Sequence, residues 1–402
     1  MMFGRFGAGV LGATIITAGL LVVGPTTEAT AATAATAASK APLVIGDICS
    51  CTGPEASSVA QTTPTIEAWA KYVSAHGGIQ GHPVTIIVKD DGYNPTTSLA
   101  AAQTLVGSDH VAAIIDNSDV DTSWGPYVKE QGVAVVGGSE SDEGYENPDW
   151  FVPGATYNNF TAGIAYAAKK LGVKKMADVY CAEVAVCAQS SVDLKTALTK
   201  LNIDLAYTSA ISFSAPSYTA YCLAAKQSGA TALLVGDATA IVNKFVQNCA
   251  SQGYNPTEIS GDGTVAISWL TIPGFEGNVD AQPDISFFVH DAATKPMYDA
   301  LAKYAPGVTT GPNFGEIVIE TWAAGVELQT AGDAAHLSAD PTAAEIHAGF
   351  YAMPKGTTLG GLSSPLTFTK GKTFNNACYF LMGIKNQKFV SLNGSKDFCV
   401  KL

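Results

Sequence analysis

His76-Gly77-Gly78-Ile79-Gln80-Gly81-His82-Pro83-Val84-Thr85-Ile86-Ile87-Val88-Lys89-Asp90-Asp91-Gly92-Tyr93-Asn94-Pro95 is the stretch whose reading decides the fold. Ile66, Trp69 and Val73 precede it at helical spacing, and Gly77 and Gly78 offer the left-handed backbone that ends a helix. Gly81 and Pro83 turn the chain into the β-branched run Val84–Val88, which reads as a buried strand. Asn94 then stands as an N-cap with Pro95 at the first helical position. Helix, glycine stop, strand and capped helix in this order make one unit of a doubly wound α/β domain.

The same alternation runs outward in both directions. Strand-like runs at Leu43–Ile48, Val111–Ile115 and Val133–Val136 are separated by helical stretches ending near His76, Val106 and Gln131. A second series has strands at Met176–Tyr180, Ala206–Ile211, Ala232–Val235 and near Ile259. Its helices run over Thr161–Leu171, Ser191–Leu201, Tyr218–Ser228 and Ala240–Ser251. This spacing predicts parallel sheets covered on both faces, in two similar lobes. Beyond Asp284 the pattern predicts strands at Ser286–Val289, Pro365–Thr369, Ala377–Ile384 and Lys388–Leu392, with helices at Lys295–Tyr304 and Ile317–Gln329.

With 402 residues, 47% hydrophobic and 14% charged, the chain is long enough for two sizeable cores. A net charge of −13 and the lack of any basic run argue against nucleic acid or anionic lipid as partner. Arg5, an apolar stretch from Phe6 to Val23 and small residues from Thr26 to Ser39 describe a secretory signal peptide, with an uncleaved anchor as the alternative. Export implies an oxidising compartment, in which the eight cysteines read as structural staples. Cys181 and Cys187 flank one loop, Cys222 and Cys249 fall on consecutive helices, and Cys378 and Cys399 on the last strands. Cys49 and Cys51, two apart on or just after a strand, are expected to point oppositely and pair poorly. Six scattered histidines and no Cys-x-x-Cys give zinc little support, and no metal is expected. No nucleophile elbow and no Walker-type phosphate loop appear, so an enzyme is not expected.

The Gly77–Pro95 order, Thr294-Lys295-Pro296 and Ser364-Pro365-Leu366-Thr367-Phe368 resemble the type I solute-binding proteins of ABC importers, the group of the leucine/isoleucine/valine-binding protein. The resemblance covers nearly all of residues 42–395. It implies two doubly wound, Rossmann-like α/β lobes joined by a three-crossover hinge, the type I periplasmic-binding-protein fold. On that map residues 1–40 are the signal peptide and Ala/Thr-rich tract. Residues 41–154 and 288–360 form lobe one, and 155–287 and 361–402 form lobe two. The crossovers fall near Gly154, Phe288 and Gly361. The lipid-anchoring cysteine usual for such proteins is absent between Met1 and Lys40, so the expected location is secreted, on the extracellular face of the cell envelope.

Ligands of open parallel sheets bind beyond the C-terminal ends of the strands. Ser118 and Ser141 fall where the resemblance implies hydroxyls that hold a ligand carboxylate, with Asn117, Ser139 and Glu140 beside them; helix caps or turn residues are the plainer reading. The resemblance puts Asp262, next to Gly263, one position from the family's acidic partner for a ligand ammonium, and Asp237, next to Ala238, is the alternative for that role. The family's first-loop tyrosine aligns near Thr62 beside Gln61, and aromatics of lobe two are replaced by Ala185 and Ala238. Trp124, Tyr157 or Phe314 are the alternatives for covering the ligand. The expectation is a monomeric substrate-binding component that takes a small polar solute, an amino acid or related amide or acid, to an ABC permease and ATPase. No cofactor is implied. The alternative is a sensor subunit signalling to a separate receptor or kinase chain.

Overall fold

β-branched runs alternating with helices build one parallel and one mainly parallel sheet, seen in a computed structural model that describes residues 40–138, 147–261 and 263–401. The expected signal segment, Ser139, Glu140, Ser141 and Asp262 lie outside the described residues. The first sheet contains β1 (Leu43–Cys49), β2 (Val84–Asp90), β3 (Ala113–Asn117), β4 (Ala134–Gly137) and β5 (Trp150–Phe151), in the order β2-β1-β3-β4-β5. All its pairings are parallel. Its helices are the short α1 (Ala56–Val59), α2 (Thr62–Ala75), α3 (Pro95–Gly107) and α4 (Gly125–Gln131). Gly77 and Gly78, at φ +104° and +70°, end α2, and Asn94 caps α3 by accepting from the Thr96 and Thr97 N–H groups.

The second lobe begins with α5 (Tyr157–Lys170), β6 (Lys175–Cys181), α6 (Ala185–Lys200), β7 (Asp204–Ile211), α7 (Thr219–Ser228), β8 (Ala232–Gly236), α8 (Thr239–Ser251) and β9 (Thr257–Ser260). β10 (Val279–Gln282) extends its sheet in parallel, and β11 (Cys378–Ile384) and β12 (Phe389–Ser391) add an antiparallel hairpin. β13 (Phe398–Cys399) pairs with β11. Between β10 and β11 come α9 (Lys295–Tyr304), α10 (Glu316–Ala334) and α11 (Ala343–Ala352). Helices α9 and α10 pack on α2, which brings this part of the chain back to the first sheet. The approach is close: a Cβ on Gly325 of α10 would stand 2.6 Å from the Trp69 ring of α2.

Three expectations need correction. Ser286–Val289 is a turn, and the strand lies upstream at Val279–Gln282. That strand carries the buried polar residues Asp280 and Gln282, so its hydrophobic signal is weak, whereas Phe287 packs edge-on against Phe314 and Phe389. Pro365–Thr369 makes one isolated bridge, Thr357 to Leu366, because Pro365 cannot donate to a ladder. Cys49 and Cys51 are bonded to each other, with Cα atoms 5.1 Å apart. β1 ends at Cys49, so strand alternation does not govern where Cys51 points. The other bridges join Cys181 to Cys187, Cys222 to Cys249 and Cys378 to Cys399. Helix α11 was not anticipated, although Thr342 and Glu345 form a complete capping box at its start.

Candidate functional site

The C-terminal ends of strands from both sheets border one cleft of about 830 Å³, part of it open to solvent. Lobe one contributes Glu55 and Ser58 after β1, Tyr93 after β2 and Asp119 after β3. Lobe two contributes Tyr180 and Cys181 from the end of β6 and Asp237 and Ala238 after β8. Tyr93 is held in place by its backbone. It follows the Asp91 side chain, which accepts from the Tyr93 N–H at 2.8 Å, and it sits in the left-handed region at φ +63°. Such backbone is sparsely populated and collects at sites where a side chain must be aimed. The Tyr93 ring meets Phe213 of lobe two edge-on, centroids 6.5 Å apart.

The two lobes also touch through hydrogen bonds. Helix α8 begins at Thr239 with Ala238 as its N-cap, and alanine has no side-chain acceptor. The missing acceptors come from the other lobe: Ser58 Oγ accepts from the Thr239 N–H and Ser57 Oγ from the Ala240 N–H, both at 3.0 Å. The cleft is therefore closed over at this edge.

Carboxylates dominate its electrostatics. Burial holds the Glu55 carboxyl well above the usual range, and the charges of Asp119, Asp237 and Glu183 add to the effect. Burial pushes Asp237 up to about 7, with the Ala238 N–H opposing and Glu183 adding. Asp178, 1% exposed at the floor of the cleft, is pushed up to about 6 by burial. Tyr93 and Tyr218 are raised by burial first and then by this carboxylate cluster, Tyr218 to about 12. Among the described residues, no lysine, arginine or histidine lines the cleft.

The residues singled out from sequence are distributed unevenly. Asp237 and Ala238 line the cleft, and Gly263 (φ +77°) sits between the lining residues Gly261 and Thr264. Ser118 and Asn117 line a second cavity of about 560 Å³, bordered by Asp284 and Glu320 near the chain crossings. The Ser118 hydroxyl donates to buried Asp91 at 2.5 Å and accepts from the Val120 N–H at 3.2 Å. Ser50 and Ser98 donate to the same Asp91 carboxylate. Asn117 donates to buried Asp47 at 2.8 Å and accepts from Thr321. Thr62 is fully buried and donates to the Val59 carbonyl, and neither it nor Gln61 reaches the cleft. Trp124 stacks on Trp150 inside lobe one and Phe314 packs on Phe287, so neither covers the cleft. The aromatic walls are Tyr93, Phe160 and Tyr180. Tyr93 was within reach of sequence reasoning, since it stands in a loop after a strand's C-terminal end; the capping role of Asn94 drew attention from it.

Comparison with known proteins agrees with this architecture. A family model described as periplasmic binding protein matches residues 42–388. A Leu/Ile/Val-binding protein homologue of Brucella abortus is 25% identical over 257 residues, 60% of this chain and 67% of the relative. A branched-chain amino acid ABC transporter protein of Thermus thermophilus, solved with valine, superposes with a TM-score of 0.77 at 15% identity, covering 90% of this chain and 97% of that one. A solute-binding protein of Rhodopseudomonas palustris in complex with 4-hydroxybenzoate gives 0.72 at 16% identity over 89% and 97%. A fatty acid ABC transporter substrate-binding protein of Thermomonospora curvata gives 0.75 at 16% identity over 90% and 93%. Three different ligand classes on one fold leave the solute to be argued from the cleft itself.

Proposed function

Given that the chain belongs to the periplasmic binding protein family, we propose that it captures a small polar solute in the cleft between its lobes and delivers it to the permease of an ABC importer. One observation carries the reading: a concave polar cleft walled by strand ends from both sheets, with Ser57 and Ser58 of one lobe capping a helix of the other. In this reading residues 41–154 and 288–360 move as lobe one against 155–287 and 361–402, on crossings near Gly154, Phe288 and Gly361. The solute rests on one lobe and closure brings the other over it. Asp237 and Ala238 contact it from lobe two, with Glu55, Tyr93 and Asp119 opposite.

The energetics suit a switch. Each cross-lobe hydrogen bond made by Ser57 and Ser58 is worth about 0.5–1.5 kcal/mol net, a scale within reach of a bound solute's differential affinity. The closed shape would be what the permease selects.

The test is small-angle X-ray scattering and thermal unfolding of the protein with a broad panel of amines, amino acids, amides and small acids. A ligand at a hundred times its dissociation constant stabilises by about 2.7 kcal/mol, and it should shrink the radius of gyration. A panel in which no compound changes either property would sink the reading.

A further inference from the structure

We infer that the solute is an organic cation with two or more amino or amidino groups, held between Glu55 and Asp119 of one lobe and Asp237 of the other. The inference rests on the cleft being the solute site. These three acids come from three separate strand-end loops, after β1, β3 and β8, and all three line the same cleft. Arg5 is the chain's only arginine, so no guanidinium in residues 40–401 is available for the bidentate grip that anionic ligands favour. A ligand carboxylate brought here would face like charges in a partly desolvated cleft, and that repulsion grows as water is excluded.

A second feature points to a ligand independently of charge. Ser190 lines the cleft at 8% exposure, and its hydroxyl makes no hydrogen bond among the described residues. Asp237 Oδ2, in the same lining, is enclosed without a hydrogen-bond partner. Buried polar groups in folded proteins are nearly always satisfied, so two such groups bordering one space call for a donor and an acceptor from a ligand.

The spacing separates an organic cation from a metal ion. Among the described residues, no three carboxylate oxygens of this cleft lie within 4.8 Å of one another, the arrangement a chelated ion needs. Charge spread along a cleft suits ammonium groups set apart by methylenes. Tyr93, Phe160 and Tyr180 supply ring faces, and Val184, Val186 and Leu234 supply apolar wall for the methylenes between them.

The experiment is thermal shift and calorimetric titration of the purified protein with 1,4-diaminobutane, spermidine, leucine, 4-hydroxybenzoate and calcium chloride. The expected result is a response to the amines that weakens at least tenfold in Asp237→Asn and in Glu55→Gln. The ligand-free Asp237→Asn protein should melt above the parent because a repelling charge is gone, which separates lost binding from lost folding. Ser190→Ala should weaken amine binding by a smaller factor at unchanged melting temperature. A response to leucine or 4-hydroxybenzoate without one to amines overturns the cationic assignment and leaves solute capture standing. A calcium response reversed by chelator overturns it in favour of a metal. A response to none of these probes overturns the cationic assignment, and only silence across the broad panel above overturns solute capture as well.

Discussion

Ser58 Oγ of lobe one accepts the backbone N–H of Thr239, the first residue of helix α8 in lobe two, at 3.0 Å. A helix start leaves its first N–H groups without intrahelical partners, and Ala238 at the N-cap has nothing to offer them. The lobes therefore complete one another's secondary structure when they meet. Replacing Ser58 with Ala should weaken solute binding by about fivefold, since a helix cap is typically worth about 1 kcal/mol. Titration calorimetry of Ser58→Ala and of the Ser57→Ala/Ser58→Ala pair tests this. Unchanged affinity in the double variant would mean that closure does not use the cap.

Ser118 separates two roles cleanly. If it gripped a ligand carboxylate, Ser118→Ala would abolish binding of acids and leave folding alone. Its hydroxyl is instead committed to Asp91, which is 2% exposed. We expect Ser118→Ala to destabilise the protein by about 1–3 kcal/mol through a buried acceptor left short of a donor. Solute affinity should stay within a few-fold of the parent. Urea unfolding and titration on the same preparation give both numbers.

Stability should fall as pH rises from about 5 to about 8. Burial raises Asp47 to about 7, Asp178 to about 6, Asp237 to about 7 and Glu258 to about 8. The folded protein keeps these protons through a range where the unfolded chain, ionising near its ordinary 3.8 or 4.5, has released them. The unfolded state then binds fewer protons, so unfolding becomes easier with each step upward in pH. Melting temperatures measured across that range without ligand should decline; a steady rise would contradict the burial argument.

The disulfides should differ in what they hold. Cys222 and Cys249 are 27 residues apart and Cys181 and Cys187 only 6. Chain entropy assigns about 3–4 kcal/mol to the longer closure and about 2 to the shorter. Cys181 and Cys187 both line the cleft and bracket Glu183. The Cys181→Ala/Cys187→Ala variant should therefore lose more solute affinity and less stability than Cys222→Ala/Cys249→Ala. Equal losses of affinity in the two would show that the short bridge has no bearing on the cleft.

Gly325→Leu should destabilise by about 1–3 kcal/mol or more, because even a Cβ at that position meets the buried Trp69 ring at 2.6 Å. Denaturant unfolding of the variant checks this against the milder Gly325→Ala.

Local chemistry determined much of this protein in advance. The glycine stop at Gly77-Gly78, the Asn94-Pro95 cap and the β-branched run at Val84 act within a few residues of one another, so period and turn residues suffice to read α/β units. Three of the cysteine pairs were suggested by the elements they sit on. Val279–Gln282 was not legible, because its place between β9 and β11 makes it a strand despite buried Asp280 and Gln282. The cleft was legible only in part: Asp237 stood in a predicted strand-end loop, while Tyr93 stands directly before the Asn94 cap and Glu55 in the stretch after the first strand, where local sequence does not say which side chain faces a ligand. Which acids share a cleft, and which serine caps which helix, depends on loops as far apart as Ser58 and Thr239. Sequence periodicity carries the repeat along one chain segment; only the packing of the two sheets brings their ends to a common space.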